Sequence, residues 1–147
     1  MQYVLDTDHF TLLQRSHPIL IQRVRSLSID MLGITVITME ESLQGWFSEI
    51  RKASKSNKNQ AQQLRIAYDN LRDAVQFLSP FQILSFTESA SAQFTQLRQQ
   101  GVRIGTQDLR IASICLVNDL ILLTCNEQDF AQVPNLVLQN WTIEKRR

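Results

Sequence analysis

Cysteine, proline and glycine are scarce in this chain of 147 residues, at two, three and four copies. The two cysteines, Cys115 and Cys125, sit inside the apolar stretches SICLV and LLTCN and stand at no metal-ligand spacing from His9 or His17. That excludes a cysteine–histidine metal site and leaves both thiols as expected small core residues. No Gly/Pro-rich linker divides the sequence and no internal repeat is visible, so a single domain over 1–147 is expected; two cores would be hard to fit in this length. No apolar run approaches the roughly 18 to 20 residues that span a bilayer. The N-terminal stretch also lacks a basic segment followed by an apolar signal core, and a cytoplasmic protein is expected. An excess of charge of either sign is missing too, the formal net charge being +1. The overall field therefore neither demands nor excludes nucleic acid, and any such binding must come from a local patch.

What is present is an alternation of strand-like and helix-like segments. YVL (3–5), LGITV (32–36), QILSF (82–86) and LILLT (120–124) are short runs, mostly apolar and without polar-out alternation, as expected of strands covered on both faces. Helical spacing of apolar residues follows over 39–55 through Leu43, Trp46, Phe47 and Ile50, and over 60–78 through Leu64, Ala67, Tyr68, Leu71, Val75 and Leu78, with Pro80 as a stop. Two further helices are predicted over 89–100, with Gly101 as its C-terminal cap, and over 108–119. The polar stretch KASKSNKNQAQQ (52–63) reads as a solvated hairpin tip, and the tail EKRR (144–147) as a solvated end more than an RNA contact. This order predicts an α/β domain with a mostly parallel sheet.

In such sheets, sites form outside the carboxyl ends of the strands. The polar residues expected there are dominated by acids: Asp6 and Asp8 after the first strand, Thr38, Glu40 and Glu41 after the second, and Asn126, Glu127 and Asp129 after the last. Asp108 joins them from GTQD, where a small cap residue precedes a carboxylate in the first helical turn. Each acid alone has an ordinary explanation as a helix-start or turn residue. Together, carboxylates brought to one sheet edge repel and raise one another's pKa unless a cation neutralises them. Oxygen donors without Cys or His suit Mg²⁺ or Mn²⁺, and acids holding such ions are the machinery of metal-assisted phosphodiester hydrolysis.

The same residues carry a resemblance to PIN-domain proteins of the VapC toxin type, a family of metal-dependent ribonucleases that act with a small antitoxin partner. VLDTD (4–8), ITVITMEESLQG (34–45), IGTQDLRIAS (104–113) and LLTCNEQDFAQVPNLVLQNW (122–141) resemble the family's blocks, in order, over nearly the whole chain. The resemblance implies a three-layer α/β/α fold around a mostly parallel sheet, and an endoribonuclease whose catalytic and metal-binding core is Asp6, Glu41 and Asp108. Asn126 and Asp129 would assist, and Thr124 would supply a supporting hydroxyl. Glu40 occupies a position that the family usually leaves small or apolar. Asn126 stands where many members carry a fourth aspartate; its carbonyl oxygen can ligate but brings no charge. Asp8, commonly Asn or Asp in the family, implies a capping role or a metal role. Arg103 and Arg110, flanking Asp108, would hold RNA phosphates, with Arg15, Arg23 and Arg25 as further candidates. The resemblance also implies a homodimer and an antitoxin that inserts an arginine among the acids, with the apolar faces of 39–55 and 60–78, including Trp46 and Phe47, available to a partner or to the chain's own core.

Two rival readings remain. A phosphotransfer enzyme of the haloacid dehalogenase type also opens on Asp-x-Asp, but needs a hydroxyl residue where this chain has Phe10 and a downstream catalytic lysine; the lysines here are Lys52, Lys55, Lys58 and Lys145, in the polar hairpin and the tail. A non-catalytic PIN-like module that binds RNA or protein is the other, kept open by Asn126 and opposed by the retained acids.

Overall fold

The computed structural model describes residues 1–144; residues 145–147, and with them most of the charged tail, lie outside the described residues. Strand β1 (Tyr3–Leu5) leads into α1 (Thr7–Gln14) and α2 (Pro18–Arg25), and a 3₁₀ turn (Ile29–Met31) precedes β2 (Leu32–Thr35). Two long helices follow, α3 (Val36–Ser54) and α4 (Gln60–Leu78), then β3 (Gln82–Leu84), α5 (Glu88–Gln99) and α6 (Thr106–Val117). The described chain closes with β4 (Ile121–Leu123), α7 (Glu127–Phe130) and β5 (Leu138–Gln139).

The five strands form one parallel sheet in the order β3-β2-β1-β4-β5. Strand alternation divides the core into two layers. Val4 and Leu122 face α5, α6 and α7, where Leu97, Leu109, Ile111, Ile114 and Phe130 pack. Leu5, Leu32, Ile34 and Leu123 face the other way, onto Phe10 and Leu13 of α1, Leu20 of α2, Leu78 of α4 and Trp141. This is the expected three-layer arrangement with a parallel sheet.

Local sequence explains the element ends. The Asp6 carboxylate accepts the His9 amide at 2.8 Å and caps α1, while the Thr35 hydroxyl accepts the Thr38 amide at 3.2 Å and caps α3. Helix α5 ends on Gly101 at φ +92°, with Gly101 N–H bonded to the Arg98 carbonyl and Val102 N–H to that of Leu97. Those two bonds make the Gly101 stop a Schellman cap, sealed by the buried Leu97 and Val102. Helix α6 ends the same way around Asp119, φ +53°, so the chain turns within a few residues into β4. The polar stretch 52–63 is the tip of the α3–α4 hairpin, although the helices take most of it and leave only residues 55–59 as loop.

Two expectations are corrected. Helix α3 starts at Val36 rather than Met39, because Thr35 already caps it. Cys115 is buried as expected, but Cys125 is exposed: it follows Thr124, the buried residue just past β4, where the chain leaves the sheet. Helices α1, α2 and α7 and the two-residue strand β5 had no counterpart in the apolar pattern.

Candidate active site

Because all strands are parallel, their carboxyl ends share one edge, and the chain's direction of travel reverses between β1 and β4. That is the switch point at which open α/β sheets leave a crevice. Asp6 follows β1 there and Thr124 follows β4 beside it, with the Asp6 amide bonded to the Leu123 carbonyl at 3.0 Å. Helix α3 leaves the same edge from β2. Helix α6 feeds the amino end of β4 through a short turn, which places its N-terminal turn, and Asp108, at the carboxyl edge.

Asp6 is nearly buried, 4% exposed, and its Oδ1 is the α1 cap. The cap is therefore Asp6 and not Asp8, correcting the capping role implied for Asp8: helix α1 begins at Thr7, so Asp8 is an exposed first-turn residue. Glu41 is the sixth residue of α3, one turn deeper than a helix-start acid. Its Oε1 accepts the Thr7 hydroxyl at 2.7 Å, and Thr7 Oγ1 also lies 3.0 Å from Thr38 Oγ1, so the residue between the two aspartates of VLDTD ties α1 to α3.

Asp108 is the third residue of α6, folded back over Gly105, where an added Cβ would lie 3.9 Å from its Oδ2. Its pKa is pushed up from 3.8 to about 6, first by burial and then by the charges of Asp6, Glu41, Asp8 and Asp129. Carboxylates from four separate stretches of sequence thus act on one another at this edge.

Asn126 donates from Nδ2 to Asp129 Oδ2 at 3.0 Å, and its backbone amide donates to the buried Thr124 hydroxyl at 2.8 Å. Thr124 therefore shapes the turn that presents Asn126. Among the described residues the arginines form no ion pair with these acids. Arg103 is exposed and donates to the carbonyls of Arg98 and Val102 at the end of α5. Arg110 donates to Gln107 Oε1 at 2.8 Å and lies about 6 Å from the rings of Phe86 and Phe94, with Gln107 in turn donating to Glu40 at 2.7 Å. Arg23 holds the carbonyls of Asn140 and Ile143, while Arg15 and Arg25 are exposed.

The donors of this edge are oxygens, suited to a hard cation, and such an ion would relieve the like-charge crowding around Asp108. As they stand, no three His, Cys, Asp or Glu side chains among the described residues are grouped to hold a metal ion. The fit of Mg²⁺ or Mn²⁺ therefore rests on donor chemistry and mutual charge. Two residues beside the acids escaped the sequence reading, Thr7 and His9. Thr7 carried a signal, a hydroxyl between two carboxylates; His9 carried none.

No protein-family model matches the chain. Ribonuclease VapC1 of Haemophilus influenzae strain R2866 is 31% identical over 144 residues, covering 97% of this chain and 99% of that protein. Ribonuclease VapC2 of Rickettsia felis is 29% identical over 147 residues, covering 96% and 98%. Among solved structures, VapBC-1 from nontypeable Haemophilus influenzae superposes with a TM-score of 0.73 at 25% identity, over 97% of this chain and all of that one. VapBC2 from Rickettsia felis, bound to a DNA fragment from its promoter, gives 0.69 at 28% identity over 96% and 99%.

Proposed function

The chain belongs to the VapC ribonuclease family, and from that premise we propose that it is a divalent-metal-dependent endoribonuclease, the toxin of a toxin–antitoxin pair. What supports the metal-dependent reading is the gathering of acids from distant parts of the sequence at one carboxyl edge, Asp6 after β1 beside β4, Glu41 tied to Thr7, and Asp108, whose carboxyl their charges push up. Asp6, Glu41 and Asp108 would hold Mg²⁺ or Mn²⁺, with Asn126 offering a carbonyl oxygen and Asp129 a further carboxylate. The bound ion would supply Lewis-acid activation of water and relief of charge in an in-line phosphodiester displacement.

The chain's own residues do the positioning. Thr7 fixes the Glu41 carboxylate, Thr124 sets the Asn126 turn, and the capping bond holds Asp6 at the end of β1. Asp8, exposed in the first turn of α1, adds negative charge to the cluster without capping. Arg103, exposed, and Arg110, half-buried and held by Gln107, would contact RNA phosphates.

A cognate antitoxin and a homodimer are the proposed protein partners. The exposed apolar side chains of α3 and α4, Phe47, Ile66, Tyr68 and Val75, support a surface that a protein covers. No helix among the described residues is long and apolar enough to cross a membrane, and the cytoplasm is the proposed compartment.

The test is incubation of the purified chain with a panel of structured RNAs, with Mg²⁺ or Mn²⁺ or with chelator, beside Asp6→Asn. Cleavage that needs the metal and disappears in the variant supports the reading. Binding without cleavage in every condition would return the chain to the non-catalytic module.

A further inference from the structure

We propose that His9 is a positioning residue for Asp6, its imidazole locked by the Trp141 backbone amide so that the Nδ1 proton faces Asp6 Oδ1. The inference rests on the reading of Asp6 as the first catalytic acid. His9 is fully buried, yet nothing in the hydrolysis described above uses it. A buried imidazole is costly unless its nitrogens are partnered, and a simple packing role would be served by an apolar side chain.

Its partners define what it does. Trp141 N–H donates to His9 Nε2 at 3.2 Å across 132 residues of sequence, so Nε2 carries no proton and the ring holds its one proton on Nδ1. Nδ1 faces Asp6 Oδ1 at 3.6 Å and Cys125 Sγ at 3.7 Å. The former is longer than a hydrogen bond while the sulfur is within reach of one, so Nδ1–H donates to Cys125 Sγ and acts on the carboxylate only as a nearby dipole. The His9 backbone amide donates to the same oxygen at 2.8 Å. Only the His9 backbone amide is hydrogen-bonded to Oδ1; the Nδ1–H, whose hydrogen-bond partner is Cys125 Sγ, sits beside that oxygen, and Oδ2 makes no hydrogen bond among the described residues.

The anchor is itself fixed. Trp141 is 7% exposed, its ring lies 4.8 Å from that of Tyr3, and its indole N–H bonds Gln139 Oε1 at 2.9 Å. The segment after β5 thus sets the orientation of the first acid through one imidazole. Outer partners of this kind typically change activity about 10- to 100-fold when removed.

Two variants separate the nitrogens. His9→Gln restores an acceptor for the Trp141 amide and removes the donor at the Nδ1 place; His9→Asn offers an amide donor at the Nδ1 place and loses the acceptor. Kinetics on a cleaved RNA are expected to show His9→Gln with kcat down about 10-fold or more at unchanged KM, and His9→Asn recovering most of that loss despite a lower Tm. Activities that simply follow Tm would overturn the proposal.

A second readout needs neither cleavage nor a His9 variant. In ¹⁵N-labelled chain, His9 is expected to show a bare Nε2 and a protonated Nδ1 whose proton resonance moves in Asp6→Asn. An Nε2–H tautomer, or a resonance indifferent to Asp6, overturns the positioning role even if RNA is cut. A wild-type chain that cuts no RNA but shows the coupling overturns only the ribonuclease reading.

Discussion

Replacing Asp108 by asparagine should stabilise the metal-free protein, and only at a pH where the acid is charged. The carboxyl is protonated more readily in the fold than in the unfolded chain, at about 6 against 3.8, because burial and then Asp6, Glu41, Asp8 and Asp129 disfavour its charge. A raised acid pKa means that the ionised form costs stability. The cost is absent below pH 3.8, where both states hold the proton, grows as pH rises, and is complete above about 6. Taken in full, that difference is about 3 kcal/mol at 1.36 kcal/mol per tenfold in proton affinity. The carboxyl is only half-buried, so solvent screening reduces it to about 1–2 kcal/mol. Losing a charge that the α6 N-terminus favours removes about 0.5 kcal/mol of that gain. A net gain of about 1 kcal/mol corresponds to a Tm roughly 2–5 °C higher for a chain of this size.

The assay is thermal unfolding followed by circular dichroism in chelator, at pH 7.5 and at pH 4. Asp108→Asn should melt above wild type at pH 7.5 and level with it at pH 4. Added Mn²⁺ should raise wild type and reverse the order, since the ion removes the repulsion that the variant has already lost. A variant no more stable at pH 7.5, or equally favoured at both pH values, would refute the argument that the acids act on one another.

Further outcomes follow from particular contacts. Thr7→Val removes the hydroxyl that holds Glu41 at 2.7 Å and should lower kcat about 10-fold at a stability cost of about 1 kcal/mol, read by cleavage kinetics and urea unfolding. Gly101→Ala forces a side chain into the φ +92° position that ends α5 and should cost about 1–2 kcal/mol while leaving cleavage unchanged, read by the same two measurements. The Cys125 thiol, although its residue is exposed, is pushed up by partial burial and by Asp6, Asp8 and Glu127, against a lowering bond from Thr142, so its alkylation at pH 7.5 should run slower than that of a free cysteine, followed by mass spectrometry.

Much of the scaffold could be read from sequence because its signals are long or uniform. Helix α4 spans the predicted 60–78 because apolar residues repeat over five turns and Pro80 follows at once. Strands β1, β2 and β4 were visible as short apolar runs because both faces of the sheet are covered there, and the edge strand β3 through the apolar residues in QILSF. Helix α1 was not: TDHFTLLQ is eight residues with a modest apolar face, and its start is set by the Asp6 side chain rather than by periodicity. Strand β5 is two residues, held by its partner β4. The site was legible as a set of acids and not as a place, because their convergence depends on the strand order and on α6 running back to the carboxyl edge. Cys125 and Asp8 were misplaced for a related reason, since one residue's shift at a strand end or helix start decides burial or capping.

If Asp6, Glu41 and Asp108 share one divalent ion at the sheet edge, as proposed, losing any one of them should weaken its binding. Calorimetric titration of the metal-free chain with Mn²⁺ at pH 7.5 tests it most directly, with Asp6→Asn, Glu41→Gln, Asp108→Asn and the remote Asp119→Asn in parallel. A site is expected in wild type and in Asp119→Asn, weakened by about 10-fold or more in each of the other three. Equal Mn²⁺ binding by all five proteins would contradict it.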